Sequence, residues 1–213
     1  IGVRLVGSEM CIRDSDNMIL GISWGNTMYH TVKAVKTSKN IPITVVPIMG
    51  AANVRTPERD SLDLSKELAY AYGGTYHYIY APLFVNSEEV RDSLEQEPNI
   101  KGCLELARNA DIILTSVGSI VYKSWKSYLS TRDLYNLEKK GAIGHIGGHF
   151  YDMEGNEVIT PFVNKMIGLG IEDIKNTENV ICVAGLEMKA EAILGAVRGG
   201  YINTPVSYTH LTL

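Results

Sequence analysis

The stretch "GISWGNTMYH", residues 21–30, sets a glycine turn between an apolar run and helical spacing, and it contains no lysine. Turns of this kind hold anions. Backbone N–H groups converge at a helix start, and the helix dipole favours negative charge there. Gly25, Asn26 and Thr27 stand where those N–H groups would be, and the hydroxyls of Ser23 and Thr27 could add donors. The same hydroxyls would equally serve as ordinary helix caps. Trp24 would form a core wall or stack on a sugar ring. The stretch lacks both the Gly-Lys-Ser/Thr of a P-loop and the three-glycine spacing of a dinucleotide fingerprint. A balancing cation must therefore come from elsewhere in the chain.

Lys189 can supply it. When "LEMKAEAILGAVRGG" is read as a helix, Leu186, Ala190, Ile193, Leu194 and Val197 form its apolar stripe. Lys189 precedes Ile193 by four and Val197 by eight, so it lies along that stripe. It also falls in the first turn, where the dipole disfavours a cation by roughly 0.3–1 kcal/mol. An anion bound above the helix start removes the conflict. The bland alternative is a side chain that snorkels to solvent beside Glu187 and Glu191.

A third unusual piece is "GAIGHIGGHFYDMEGNEV", residues 141–158, whose glycines permit a close-packed irregular backbone. His145, His149 and Asp152 could hydrogen-bond sugar hydroxyls, although Asp152 with Gly155 also reads as a turn and His149 as a surface residue. Two histidines at i, i+4 without a third ligand make a poor metal site, so neither metal nor cofactor is expected.

These residues need a frame. "NMILGIS", "IPITVVPIMG", "TYHYIYAP", "DIILTSVGS" and "NVICVAG" read as strands, with helical patterns between them. Asn86 with Glu89 and Ser130 with Asp133 resemble capping boxes, and Gly73 and Gly199 read as helix stops. The alternation predicts an α/β fold, a doubly wound, mostly parallel sheet of Rossmann-like type. Ligands of such sheets sit at the carboxyl ends of the strands. That rule selects the loops 21–27, 48–55, 115–122 and 185–189, and with them Gly50, Ser116 and Gly118.

The bulk numbers bound the answer. A chain of 213 residues suits one large domain. A net charge of −4 argues against gripping nucleic acid with its own surface. Cys11, Cys103 and Cys182 are odd in number and widely spaced, which suggests a reducing cytoplasm. No apolar run approaches a membrane span, and residues 1–15 contain no signal-peptide core. Residues 1–15 and 205–213 look like non-native tails, comparable to translated adapter sequence, which leaves 16–204 as the domain.

In this order, "GISWGNT", "VVPIMG", "DIILTSVGS", "GAIGHIGGHFYDMEGN" and "VAGLEMKAEAILGAVRGGYIN" resemble the effector-binding domain of SorC/DeoR-type bacterial transcriptional regulators, from about Asn17 to Thr204. The resemblance implies a fold similar to phosphosugar isomerases and CoA transferases. It further implies a phosphorylated sugar effector, a homo-oligomer, and DNA contact only through an N-terminal helix-turn-helix that this chain lacks. It places the phosphate loop on Gly25, Asn26 and Thr27 and the phosphate-contacting lysine on Lys189. The chain departs from the family at Gly185-Leu186 and Gly50-Ala51, where Gly-Gly is common. It also departs at His145, where an acidic residue is usual, and near Leu62, where an amide is frequent. These departures spare the phosphate end and alter the sugar-hydroxyl end. The competing reading is a phosphosugar isomerase or deaminase on the same scaffold, for which Asp60 and Asp152 are the loop carboxylates available as a base. A ligand-free dimerisation module would leave Lys189 unexplained.

Overall fold

The computed structural model describes residues 18–37, 40–52, 59–122, 125 and 128–207. The expectations for residues 1–15, for Cys11, for Pro57 and for 208–213 lie outside them. In chain order the elements are β1 (Met18–Ile22), α1 (Asn26–Ala34), β2 (Ile43–Pro47), α2 (Ser61–Tyr72), β3 (Thr75–Tyr76), α3 (Glu88–Gln96), α4 (Pro98–Arg108) and β4 (Ile112–Thr115). There follow β5 (Gly118–Ser119), α5 (Thr131–Lys139), β6 (Gly144–Ile146), β7 (His149–Tyr151), α6 (Ile171–Asn176), β8 (Asn179–Val183), α7 (Ala190–Arg198) and β9 (Thr204–Val206).

Six strands form one sheet in the order β3-β2-β1-β4-β8-β9, and every neighbouring pair is parallel. The central strands are nearly continuous apolar runs because both faces of the sheet are covered. On one face, Met28 and Val32 of α1 and Leu64 and Leu68 of α2 pack on Leu20, Ile22 and Val45. On the other, Leu104 of α4 and Ile193 and Ala196 of α7 pack with Val46, Ile113 and Val180. This is the doubly wound, mostly parallel α/β sheet that the alternation predicts.

Several local expectations need correction. The glycine-rich piece at 141–158 is not irregular: β6 and β7 form an antiparallel hairpin, and β5 joins them in a second, three-stranded sheet. Ile146 pairs with His149 across Gly147 (φ 56°) and Gly148 (φ 92°), a two-residue turn that needs φ > 0 at both positions. The expected strand "TYHYIYAP" contributes only Thr75 and Tyr76 to the ladder. The cap of α3 is Ser87, which accepts from the Val90 N–H, rather than Asn86. Ser130 and Asp133 do form the capping box of α5, and Gly73, at φ 71°, does close α2. At the far edge, β9 runs across the boundary expected after Thr204. Pro205 occupies an edge strand, where the donor it lacks is not needed.

Candidate functional site

Ile22, Leu114 and Ile181 lie side by side across β1, β4 and β8. Two strand spacings, about 10 Å, therefore separate the loop after β1 from the loop after β8. A lysine side chain bridges much of that interval.

On the β1 side, α1 begins without a side-chain cap. Its first intrahelical bond runs from the Tyr29 N–H to the Gly25 carbonyl at 2.9 Å, so the N–H groups of Asn26, Thr27 and Met28 precede the ladder. Gly25 has φ 124°, which favours glycine, and a Cβ placed there would meet nothing within 4 Å. The space before the helix is open. Two sequence expectations change here. The Gly25 N–H is not available, since it donates to the Arg59 carbonyl at 3.1 Å. Ser23 is buried; its N–H goes to the Leu114 carbonyl, and its Oγ accepts from Thr115 Oγ1 at 3.0 Å. Ser23 therefore fastens β1 to β4 from a buried position. Thr27 is half-buried.

On the β8 side, Glu187–Lys189 form a 3-10 turn and Lys189 is the residue before α7, not part of its first α-helical turn. The inward face of α7 is Ala192, Ile193 and Ala196, while Leu186 and Val197 are largely exposed. The expected stripe is thus rotated, yet Lys189 still shares a face with Ala192, Ile193 and Ala196 at helical spacing. Burial lowers the Lys189 pKa, an effect that the nearby Cys182 thiol partly opposes. No ion pair joins Lys189 to a described acidic residue, and both Glu187 and Glu191 face solvent.

His145, on β6, stands beside this lysine. Its ring lies against Gly118, where a Cβ would overlap the imidazole, and edge-on to Trp125 at 5.2 Å. Burial pushes the His145 pKa down to about 3, with the Lys189 charge adding to the effect. Burial thus disfavours the charged form of both side chains. Ser116, half-buried after β4, donates to the Val117 carbonyl at 3.2 Å.

Gly50 and Asp152 are engaged in local contacts of their own. The Gly50 N–H donates to the Ile167 carbonyl at 2.9 Å, and a Cβ would meet the Pro82 carbonyl oxygen at 2.6 Å, so this glycine serves a close backbone crossing. Asp152 closes its own turn, accepting from the Glu154 and Asn156 N–H groups and from Asn156 Nδ2. Burial works against its charge, but these bonds prevail and hold its pKa below the usual carboxylate value. His149 is buried, not a surface residue. Its ring nitrogens lie 2.7 Å from Glu157 Oε1 and 2.9 Å from the Leu169 carbonyl, which clips the hairpin to the segment before α6.

The sequence reading missed an aromatic wall. Trp24, Phe84, Trp125, Tyr128 and Phe150 pack together between the two loops. The signal was the i, i+3 pair Trp125 and Tyr128 just beyond Ser116 and Gly118. Asp60 is also nearby. It is the N-cap of α2, accepting from the Leu62 N–H and Ser61 Oγ, and burial raises its pKa.

Residues 9–206 match the family model described as "Putative sugar-binding domain". The chain is 27% identical over 201 residues to the deoxyribonucleoside regulator of Bacillus subtilis (strain 168), covering 93% of this chain and 64% of that one. A DeoR family transcriptional regulator from Listeria monocytogenes superposes with a TM-score of 0.82 at 25% identity, covering 95% of this chain and 79% of that chain. The full-length sorbitol operon regulator SorC from Klebsiella pneumoniae does so with a TM-score of 0.84 at 24% identity, covering 89% and 62%. The chain spans less than two thirds of the length of the curated relatives it matches first.

Proposed function

This chain belongs to the family of sugar-binding domains found in SorC- and DeoR-type transcriptional regulators, and from that premise we propose that it senses a phosphorylated sugar. The phosphate is held between the free N–H groups of Asn26 and Thr27 and the ammonium of Lys189. Gly25 keeps the approach open, and Ser116, Gly118 and His145 line the lysine side. One observation carries the reading: a partly buried lysine with no described acidic partner follows β8, whose end lies about two strand spacings from the end of β1 and the uncapped helix start after it. Each half is locally unfavourable or unsatisfied, and one phosphate satisfies both.

In this reading the domain, β9 included, is the sensing portion of a regulator that touches DNA through a separate helix-turn-helix and works in the cytoplasm as a homo-oligomer. The relatives' names as regulators support a sensor rather than a catalyst. The carboxylates an isomerase would use as a base are engaged otherwise, Asp152 in its turn and Asp60 as a cap. A thermal-shift screen that pairs each sugar phosphate with its unphosphorylated sugar tests the proposal. Stabilisation by at least one phosphorylated member, and by none of the free sugars alone, is expected. Stabilisation only by free sugars would remove the phosphate from the account.

A further inference from the structure

The aromatic wall beside the proposed phosphate site carries polar atoms without a hydrogen-bond partner among the described residues. Trp125 is 3% exposed and is the hub of the aromatic cluster. Its ring centroid lies 6.1 Å from Trp24, 5.9 Å from Phe84, 5.5 Å from Tyr128 and 5.2 Å from His145. Trp24 belongs to the loop that opens α1, and His145 neighbours Lys189, so Trp125 spans the interval between the two halves of the proposed phosphate site. Among the described residues, neither Trp125 Nε1 nor the Tyr128 hydroxyl has a hydrogen-bond partner. Buried polar atoms are satisfied in the great majority of cases, and an exception calls for a cause.

The chemistry of the two groups restricts what could satisfy them. An indole N–H only donates, so it requires an acceptor. The Tyr128 hydroxyl keeps its proton, because burial, with the Asp60 charge adding, pushes its pKa up to about 12. It too offers a donor. The groups packed around them are aromatic, which suits the C–H face of a sugar ring rather than a second phosphate.

Resting on the phosphosugar reading above, we propose that Trp125 Nε1 and the Tyr128 hydroxyl read the carbohydrate part of the effector. The ligand class is a phosphorylated monosaccharide that lays an apolar face on the Trp24–Trp125 wall and turns an oxygen toward Trp125. That oxygen can be a hydroxyl, ring or carbonyl oxygen. A site built around such a donor discriminates strongly against an analogue lacking the oxygen, because the buried N–H is then left unpaired again.

The chain contains two tryptophans, so its nitrogen–proton correlation spectrum carries two indole signals, which Trp125→Phe assigns. Titrations use the full chain with inorganic phosphate, then with pentose and hexose phosphates one at a time. Inorganic phosphate is expected to move the Asn26 and Thr27 amides and leave the Trp125 indole in place. At least one sugar phosphate moves all three. Trp125→Phe weakens that sugar phosphate at least tenfold and changes inorganic phosphate affinity less than twofold. Tyr128→Phe provides the same comparison should Trp125→Phe fail to fold. Sugar phosphates that move the two amides but never the indole, or that bind both variants as tightly as the parent, would overturn the inference and leave the phosphate reading standing. Amides that respond to no phosphate compound would remove both.

Discussion

Burial acts in one direction on Lys189 and His145, disfavouring the cation of each and lowering both pKa values. The His145 pKa is about 3 in the folded chain against an ordinary 6.5. Between those values the unfolded chain binds a proton that the folded chain refuses. Stability contributed by this residue is therefore complete above about pH 6.5 and is lost as pH falls toward 3, with a slope of at most about 1.4 kcal/mol per pH unit. Melting temperatures recorded from pH 7 down to pH 4 should fall more steeply for the parent than for His145→Gln. Parallel curves would show that this imidazole titrates normally. At this scale the spacing of Lys189 to Ile193 was legible, while the stripe it was read from was not, since Leu186 and Val197 face outward and Lys189 precedes α7. Ser23, the Gly25 N–H and Gly50 were not legible either. Each is occupied by a distant partner, Thr115, Arg59 and Ile167, and no spacing rule connects those positions.

Among the elements, the turn that delivers Lys189 is the one under strain. Leu186 has φ 84° and ψ 130°, the one non-glycine residue at positive φ among the described residues, at a place where the family resemblance leads one to expect glycine. Such a conformation costs on the order of 1–3 kcal/mol for a side chain. Glycine would relieve it but lose about 0.5–1 kcal/mol in chain entropy. Because Leu186 is 44% exposed, Leu186→Gly should be neutral or up to about 2 kcal/mol more stable in urea unfolding. A clear loss of stability would mean that the leucine side chain packs where it stands. The parallel strands were readable because strands covered on both faces must be apolar throughout. The hairpin of β6 and β7 was not, since three-residue strands leave no period to read. Its Gly147–Gly148 turn was the available signal.

At the scale of the whole molecule, the proposed ligand site at one end of the parallel sheet goes with a modest net negative charge. With a net charge of −4 the chain alone should show no saturable DNA binding in gel-shift titrations at physiological salt. Sequence-selective retardation by this chain would contradict the division of labour proposed for it. The fold could be foreseen because alternation and burial are properties of the sequence. The aromatic wall could not, because Trp24 meets Trp125 only after β1 and β4 pair.

The central claim is that one lysine supplies the charge for a phosphate held at the start of α1, and calorimetry on Lys189→Met tests it most directly. Methionine keeps an unbranched side chain and good helix propensity, so the fold and the packing of α7 should persist. The phosphosugar that most stabilises the parent should bind the variant more weakly by about 2–5 kcal/mol, the usual cost of removing one member of a buried charge pair. The matching unphosphorylated sugar should not distinguish the two proteins. Equal affinities of parent and variant for the phosphosugar would contradict the account.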